Sequence, residues 1–209
     1  MKVLVTGFEP FGGEKINPAW EGVQKLEPNI EGAEIIKVQI PTVFGKSINE
    51  LIAIIEKVHP DIVICVGQAG GRSAITVERV AINTNDAVSK DNAGNQPVDK
   101  PIVVDGPVAY FANLPIKKIV QEIQNAKIPA SVSNTAGTFV CNQLFYGLMH
   151  YIDTKNPKIL GGFIHIPFIP EQVINKKNMP SMALDDIVRG LDVVIRCAVQ
   201  CCGHSLYKR

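Results

Sequence analysis

Residues 61–67 read Asp-Ile-Val-Ile-Cys-Val-Gly, and this stretch decides the fold class. Five consecutive apolar residues, Ile62 to Val66, put apolar side chains on both faces of an extended strand. That is the signature of a central strand in a parallel sheet covered by helices on both sides, since a strand with one solvated face alternates instead. Outward from it, Lys2–Thr6 and Ala33–Gln39 are further short β-branched runs. Each is followed by an amphipathic stretch, one after Asn17-Pro18 and one from about Gly45 to Val58. This is βαβ rhythm. On the other side, Ile75–Asn83 predicts another strand. Residues 85–106, rich in Asp, Asn, Gly and Pro, predict a long excursion of the kind that tends to carry function. Regularity then returns as a helix from about Pro115 to Asn125, a strand near Ala130–Ser133 and a helix from about Thr138 to Tyr151. A strand from Ile159 to Ile166, closed by Pro167, and a terminal helix from about Ala183 to Gln200 complete the pattern, with residues 202–209 expected to fray. No repeat, low-complexity segment or linker interrupts the chain. Residues 1–209 are therefore expected to form one α/β domain, a three-layer α/β/α arrangement around a mostly parallel twisted sheet.

Composition narrows the function classes. The chain has 209 residues, 46% hydrophobic and 20% charged, and 21 basic against 20 acidic residues leave a net charge of +1. Such a balance creates no general field for nucleic acid or anionic membranes, so no nucleic-acid or membrane partner is expected. No apolar run approaches the roughly 20 residues that span a bilayer. The opening MKVLVTGFEPFGG turns at Gly and Pro too soon for a signal peptide, which predicts a cytoplasmic protein. Five cysteines without a C-x-x-C pair predict reduced thiols rather than a disulfide framework.

Open α/β sheets bind ligands outside the carboxyl ends of their strands. There the stretch Ser131–Asn142 (SVSNTAGTFVCN) leads from a strand into a helix, with Thr138 as its expected N-cap and Cys141 in its first turn. Unpaired N–H groups and the helix dipole lower a cysteine pKa at such a position, and the same N–H groups can receive an oxyanion. The competing reading is a small buried apolar residue. A thiol nucleophile needs a base. His59 at a helix end, His150 within a helix and His204 in the tail read as solvent or dipole partners, whereas His165 ends an apolar strand where Cys141 should also lie. A hydrogen-bonded core histidine is the alternative. Glu78, on the same face of ITVERVAI as Thr76 and Val80, is a candidate orienting acid, or else part of an ion pair with Arg79 or another cation on a solvated face.

Two glycine turns, GFEPFGG (residues 7–13) and GQAGGRS (67–73), lack the G-x-x-x-x-G-K-S/T phosphate loop and read as places where backbone passes close to a ligand. Phe8 and Phe11 would flank that edge with an apolar pocket. Cys197, Cys201, Cys202 and His204 follow helix spacing with no second ligand pair, so no metal is expected.

Together, GFEPFGG, GQAGGRSAITVERVAIN, SNTAGTFVCN and GGFIHIPFIPEQ resemble the pyroglutamyl peptidase I family over nearly the whole chain. The resemblance implies a cytoplasmic cysteine exopeptidase, usually a homotetramer without metal or organic cofactor. Such enzymes remove N-terminal 5-oxoproline from pyroglutamylated peptides. It implies Cys141 as nucleophile, His165 as general base and acid and Glu78 as the residue orienting His165. It further points to Phe8, Phe11, Thr42, Phe139 and Val140 as pocket lining and Gln68 as a polar contact. A neutral compact lactam fits apolar walls with few polar groups. One departure stands out. The family commonly carries Ala-Arg-Ile-Pro-Asp-Asn where this chain has Ala87-Val88-Ser89-Lys90-Asp91-Asn92, so Val88 replaces an arginine whose fork Lys90 does not reproduce. Activity is expected to survive the loss. A phosphate- or nucleotide-handling enzyme such as a nucleoside phosphorylase, and a non-catalytic peptide-binding module, are the competing readings.

Overall fold

A computed structural model describes residues 1–206, with side chains described through residue 202. In chain order the elements are β1 (Lys2–Phe8), α1 (Pro18–Gln24), β2 (Asn29–Ile30), β3 (Ala33–Ile40), α2 (Lys46–Val58), β4 (Ile62–Gln68) and β5 (Ile75–Glu78). There follow β6 (Val80–Ile82), β7 (Ala109–Phe111), α3 (Ile116–Asn125), β8 (Ala130–Ser133), α4 (Val140–Lys155), β9 (Leu160–Ile166), α5 (Pro170–Val173) and α6 (Leu184–Leu206). Seven strands form one sheet in the order β2-β3-β1-β4-β9-β5-β8, and β6 pairs with β7 separately. The stretch 62–66 is the expected central strand: β4 lies between β1 and β9, parallel to both.

The two faces of the sheet bury different side chains because strand residues alternate. Ile62, Ile64 and Val66 join Val3, Val5 and Ile164 under α1, α3 and α6 through Val23, Ile119 and Leu191. Val63 and Cys65 join Leu4 and Phe163 on the other face, under α2 and α4 through Leu51, Leu144 and Phe145. Close approach sets some of the sequence. A Cβ on Gly7 of β1 would lie 2.7 Å from the Trp20 Cα, so only glycine lets α1 pack so near the strand.

Four of the expected details change. The run 75–83 is not one strand, because the chain leaves the sheet at Arg79, whose N–H donates to Ser133 O of β8 while its carbonyl accepts from Ala112 N beyond β7. Val80 therefore does not share a strand face with Thr76 and Glu78. Secondly, β5 runs antiparallel to β9 and β8 runs parallel to β5, so the carboxyl ends of β8 and β9 do not share a sheet edge. Thirdly, Thr138 does not cap α4. Its hydroxyl donates to Asp86 O and its carbonyl accepts from Asp86 N, and Phe139 takes the N-cap position. Lastly, the terminal helix does not stop at Gln200 but runs on to Leu206, so fraying does not begin at Cys202; the rest of that expectation, residues 207–209, lies outside the described residues. Among the described residues no helix is long and apolar enough to cross a membrane.

Candidate active site

α4 carries Cys141 in its first turn. No side chain caps that turn, and Gln143 N–H is the first to bond back, to Phe139 O, which leaves the N–H groups of Val140, Cys141 and Asn142 free of helical partners. The loop 134–139 brings this helix end back to the carboxyl ends of β4 and β9. There the Cys141 sulfur sits 3.0 Å from where a Cβ on Gly67 would be, and Gly67 is the cross-strand partner of His165. Asn142, fully buried, fixes the turn from below: its amide donates to Ile82 O and Thr84 O and accepts from Ile82 N.

His165 and Glu78 meet as diagonal neighbours on antiparallel strands, since the register pairs Thr76 with His165 and Val77 with Ile164. Glu78 Oε1 lies 2.8 Å from His165 Nδ1. A carboxylate only accepts, so Nδ1 carries the hydrogen and Nε2 is the free, basic nitrogen. Both side chains are buried, Glu78 completely. The same Oε1 accepts from the Arg72 guanidinium at 2.6 Å, whose second nitrogen donates to Thr135 O at 3.1 Å. Glu78 thus pairs with Arg72 of the GQAGGRS turn, not with Arg79, and its strand face is not solvated.

The electrostatics follow from burial against pairing. Burial raises the Glu78 carboxyl, but His165 and Arg72 outweigh it and hold the group below its ordinary value. Ser133 spends its own hydroxyl proton on Thr135 O, and Oε2 of Glu78 has no hydrogen-bond partner. Burial pushes His165 below 6.5 despite the Glu78 charge, helped by the Arg72 cation. It pushes the Cys141 thiol up to about 12, with Glu78 adding to the rise and Arg72 opposing it. The lowering expected from helix position is therefore corrected in direction: desolvation and the Glu78 charge push the half-buried Cys141 thiol up, and burial pushes the His165 imidazole down.

The remaining candidates spread around this centre. Phe11 packs on Phe139, ring centroids 6.2 Å apart, and Phe44, which no sequence feature singled out, meets Phe139 edge-on at 5.2 Å. Phe8 is buried against Phe163 in the core. Val140 is fully buried, so it offers the site its N–H rather than its side chain. Thr42 is held by Glu9, donating its hydroxyl to Glu9 O and its N–H to Glu9 Oε1. Gln68 Oε1 accepts from Gln172, which leaves its own amide NH2 to donate. Arg72 and Gln172 were not legible as site residues: Arg72 turns back onto Glu78 and also reaches Thr135 O in the loop before α4, and Gln172 meets Gln68 from a distant segment. Val88 is 98% exposed. His150 hydrogen-bonds Tyr110 and stacks on Tyr146, and His59 ends α2 in the left-handed region. The His204 side chain lies outside the described residues. Among the described residues no group of His, Cys, Asp or Glu is arranged to hold a metal ion.

The family model for pyroglutamyl peptidase matches residues 1–201. The pyrrolidone-carboxylate peptidase of Thermosipho africanus is 59% identical over 200 residues, covering 96% of this chain and 98% of the relative. Among solved structures, pyroglutamyl peptidase I of Bacillus amyloliquefaciens is 57% identical with a TM-score of 0.92, covering 95% of each chain. Pyrrolidone carboxyl peptidase of Pyrococcus furiosus is 44% identical with a TM-score of 0.94, covering 97% of this chain and all of that one. A buried Glu-His pair beside a cysteine at an uncapped helix start, on a chain matched along almost its whole length, leads to one assignment: the chain belongs to the pyroglutamyl peptidase family of cysteine peptidases.

Proposed function

We propose that this peptidase, acting as one domain per protomer, cleaves the bond after an N-terminal pyroglutamate with Cys141, His165 and Glu78. The observation that carries the reading is the buried 2.8 Å contact of Glu78 with His165 Nδ1, next to a cysteine sulfur lying over the glycine paired with that histidine. His165 Nε2 takes the Cys141 proton as the sulfur attacks the carbonyl that follows the lactam ring, so charge develops only in the reacting complex. Glu78 then faces an imidazolium, and the free N–H groups of the first α4 turn face the oxyanion. Proton transfer from His165 to the departing amine leaves a thioester, and water activated by the same imidazole releases pyroglutamate. The aromatic set Phe11, Phe44 and Phe139 walls the ring, with Phe8 behind it, Thr42 and Val140 shaping the backbone around it, and the Gln68 amide as lactam donor. No cofactor or metal takes part.

The test is release of amine from a pyroglutamyl anilide and from the matching prolyl anilide, with and without a thiol-alkylating reagent. Cleavage of the first alone, lost on alkylation and in a folded Cys141→Ala variant, is expected. Cleavage of neither by a folded, reduced sample would favour the peptide-binding reading. Assembly as a homotetramer in the cytoplasm belongs to the same proposal. Six of the nine exposed large apolar residues of the described chain, Ile82, Val88, Val98, Val104, Val108 and Phe111, fall in the one stretch between 82 and 111, and apolar side chains of this kind are what interfaces cover. Light scattering on Val108→Asp/Phe111→Asp, expected to lower the particle mass, checks it.

A further inference from the structure

We infer that Arg72 is a positioning residue of this peptidase: its guanidinium braces Glu78 and the loop leading to Cys141 at once, holding acid, base and nucleophile in one frame. The inference rests on the catalytic reading above. Arg72 stands in the turn after β4, yet its contacts lie on two other segments. One nitrogen donates to Thr76 Oγ1 and Glu78 Oε1 of β5, the other to Thr135 O in the loop that enters α4. The Arg72 side chain is 29% exposed and Glu78 wholly buried, so the cation keeps solvent contact while neutralising a charge that has none. Burial raises the Glu78 carboxyl, and the guanidinium joins His165 in holding it down, so the acceptor of His165 Nδ1–H stays ionised. Because both donors of His165 and Arg72 converge on a single oxygen, moving the guanidinium moves the acceptor of the histidine. Thr135 lies six residues before Cys141, so the same fork ties the nucleophile's approach to the acid. A planar fork does this and an ammonium does not.

The cation also sets the working pH. The charged or titratable groups facing His165 are Glu78 from β5 and Arg72, and those facing Cys141 add Cys65 of β4. Arg72 opposes protonation of His165, whereas Glu78 favours it. Removing Arg72 while Glu78 stays therefore makes His165 easier to protonate, and the neutral base is lost at higher pH.

The experiment compares wild type, Arg72→Gln and Arg72→Lys by anilide hydrolysis across pH and by the pH dependence of iodoacetamide labelling at Cys141. For Arg72→Gln, kcat is expected to fall about 100-fold, in line with a misplaced catalytic frame, with KM changed less than about threefold. The acid limb of both profiles should move to higher pH. Arg72→Lys keeps the charge, so its limb should stay, while loss of the fork lowers kcat about tenfold. A folded Arg72→Gln with wild-type kcat and an unmoved limb overturns the inference. So does a loss that only tracks the unfolded fraction. If Arg72→Gln does not fold, Arg72→Lys decides, and a wild-type kcat there overturns it. Absence of anilide cleavage by wild type would sink the substrate reading instead, and the labelling profiles would still decide the role of Arg72.

Discussion

Gly67→Ala puts a methyl group between the two strands' chemistry. The new Cβ would lie 2.8 Å from Phe163 Cζ and 3.0 Å from the Cys141 sulfur. Phe163 has little room to retreat, being fully buried against Phe8, Phe145 and His165 at centroid distances of 6.4, 5.8 and 4.8 Å. Overpacking of this kind costs about 1–3 kcal/mol. Gly67 is not in the left-handed region, so alanine returns about 0.4–1 kcal/mol by restricting the unfolded chain. The net loss is about 0–2.6 kcal/mol, or up to roughly 10 °C in unfolding temperature for a chain of this length. The sulfur is the more movable neighbour, and its displacement by a few tenths of an ångström to one ångström predicts a kcat loss of about 10- to 100-fold. KM should barely change, because the aromatic wall is untouched. Gly32→Ala is the control: its φ of +75° makes alanine strained, but nothing lies within 4 Å, so it should lose stability and keep kcat. Thermal unfolding and anilide kinetics on both variants make the comparison. A Gly67→Ala protein with wild-type unfolding temperature and kcat would refute the placement of the Cys141 sulfur over β4.

Other outcomes follow from the same geometry. Asn142→Ala removes the side-chain partner of Ile82 N and Thr84 O, while Ile82 O keeps Thr84 N–H, and should cost about 2–4 kcal/mol in urea unfolding while slowing iodoacetamide labelling of Cys141. Stability should fall at both ends of the pH range. His165 is depressed below 6.5 and Glu78 below its ordinary 4.5, so their contribution is present above those values and lost as pH falls through the folded ones. Cys65 and Cys141 are raised from 9.0 to about 12, so their contribution is full below 9 and lost as pH rises toward 12. Urea midpoints that stay flat from pH 9 to 11 would contradict the desolvation of the buried Cys65 and half-buried Cys141 thiols.

How much was legible in the chain varies residue by residue. Ile62–Val66 announced a doubly covered strand because apolar residues on both faces fit no other soluble environment, and β4 is that strand. Cys141 and His165 were visible as a thiol at a helix start and a histidine ending an apolar strand, both properties of local sequence. Their partnership was not visible. It rests on β5 and β8 running against β9, a direction that no local propensity encodes, and on the loop 134–139 returning the chain to the edge where β9 ends. Thr138 shows the same limit: its side chain has a good capping residue's chemistry, but Asp86, 52 positions away, claims it.

Local sequence therefore determined which residues form strands and helices and which side chains own reactive atoms, because hydrophobic period and covalent chemistry act over a few residues. Tertiary structure alone decided that Arg72 rather than Arg79 pairs with Glu78, that Phe44 joins Phe11 and Phe139, and that the surroundings of Cys141 push its thiol up rather than down. Each of these depends on desolvation or on how the chain turns and packs in three dimensions, which is settled only once the sheet and its covering helices have closed.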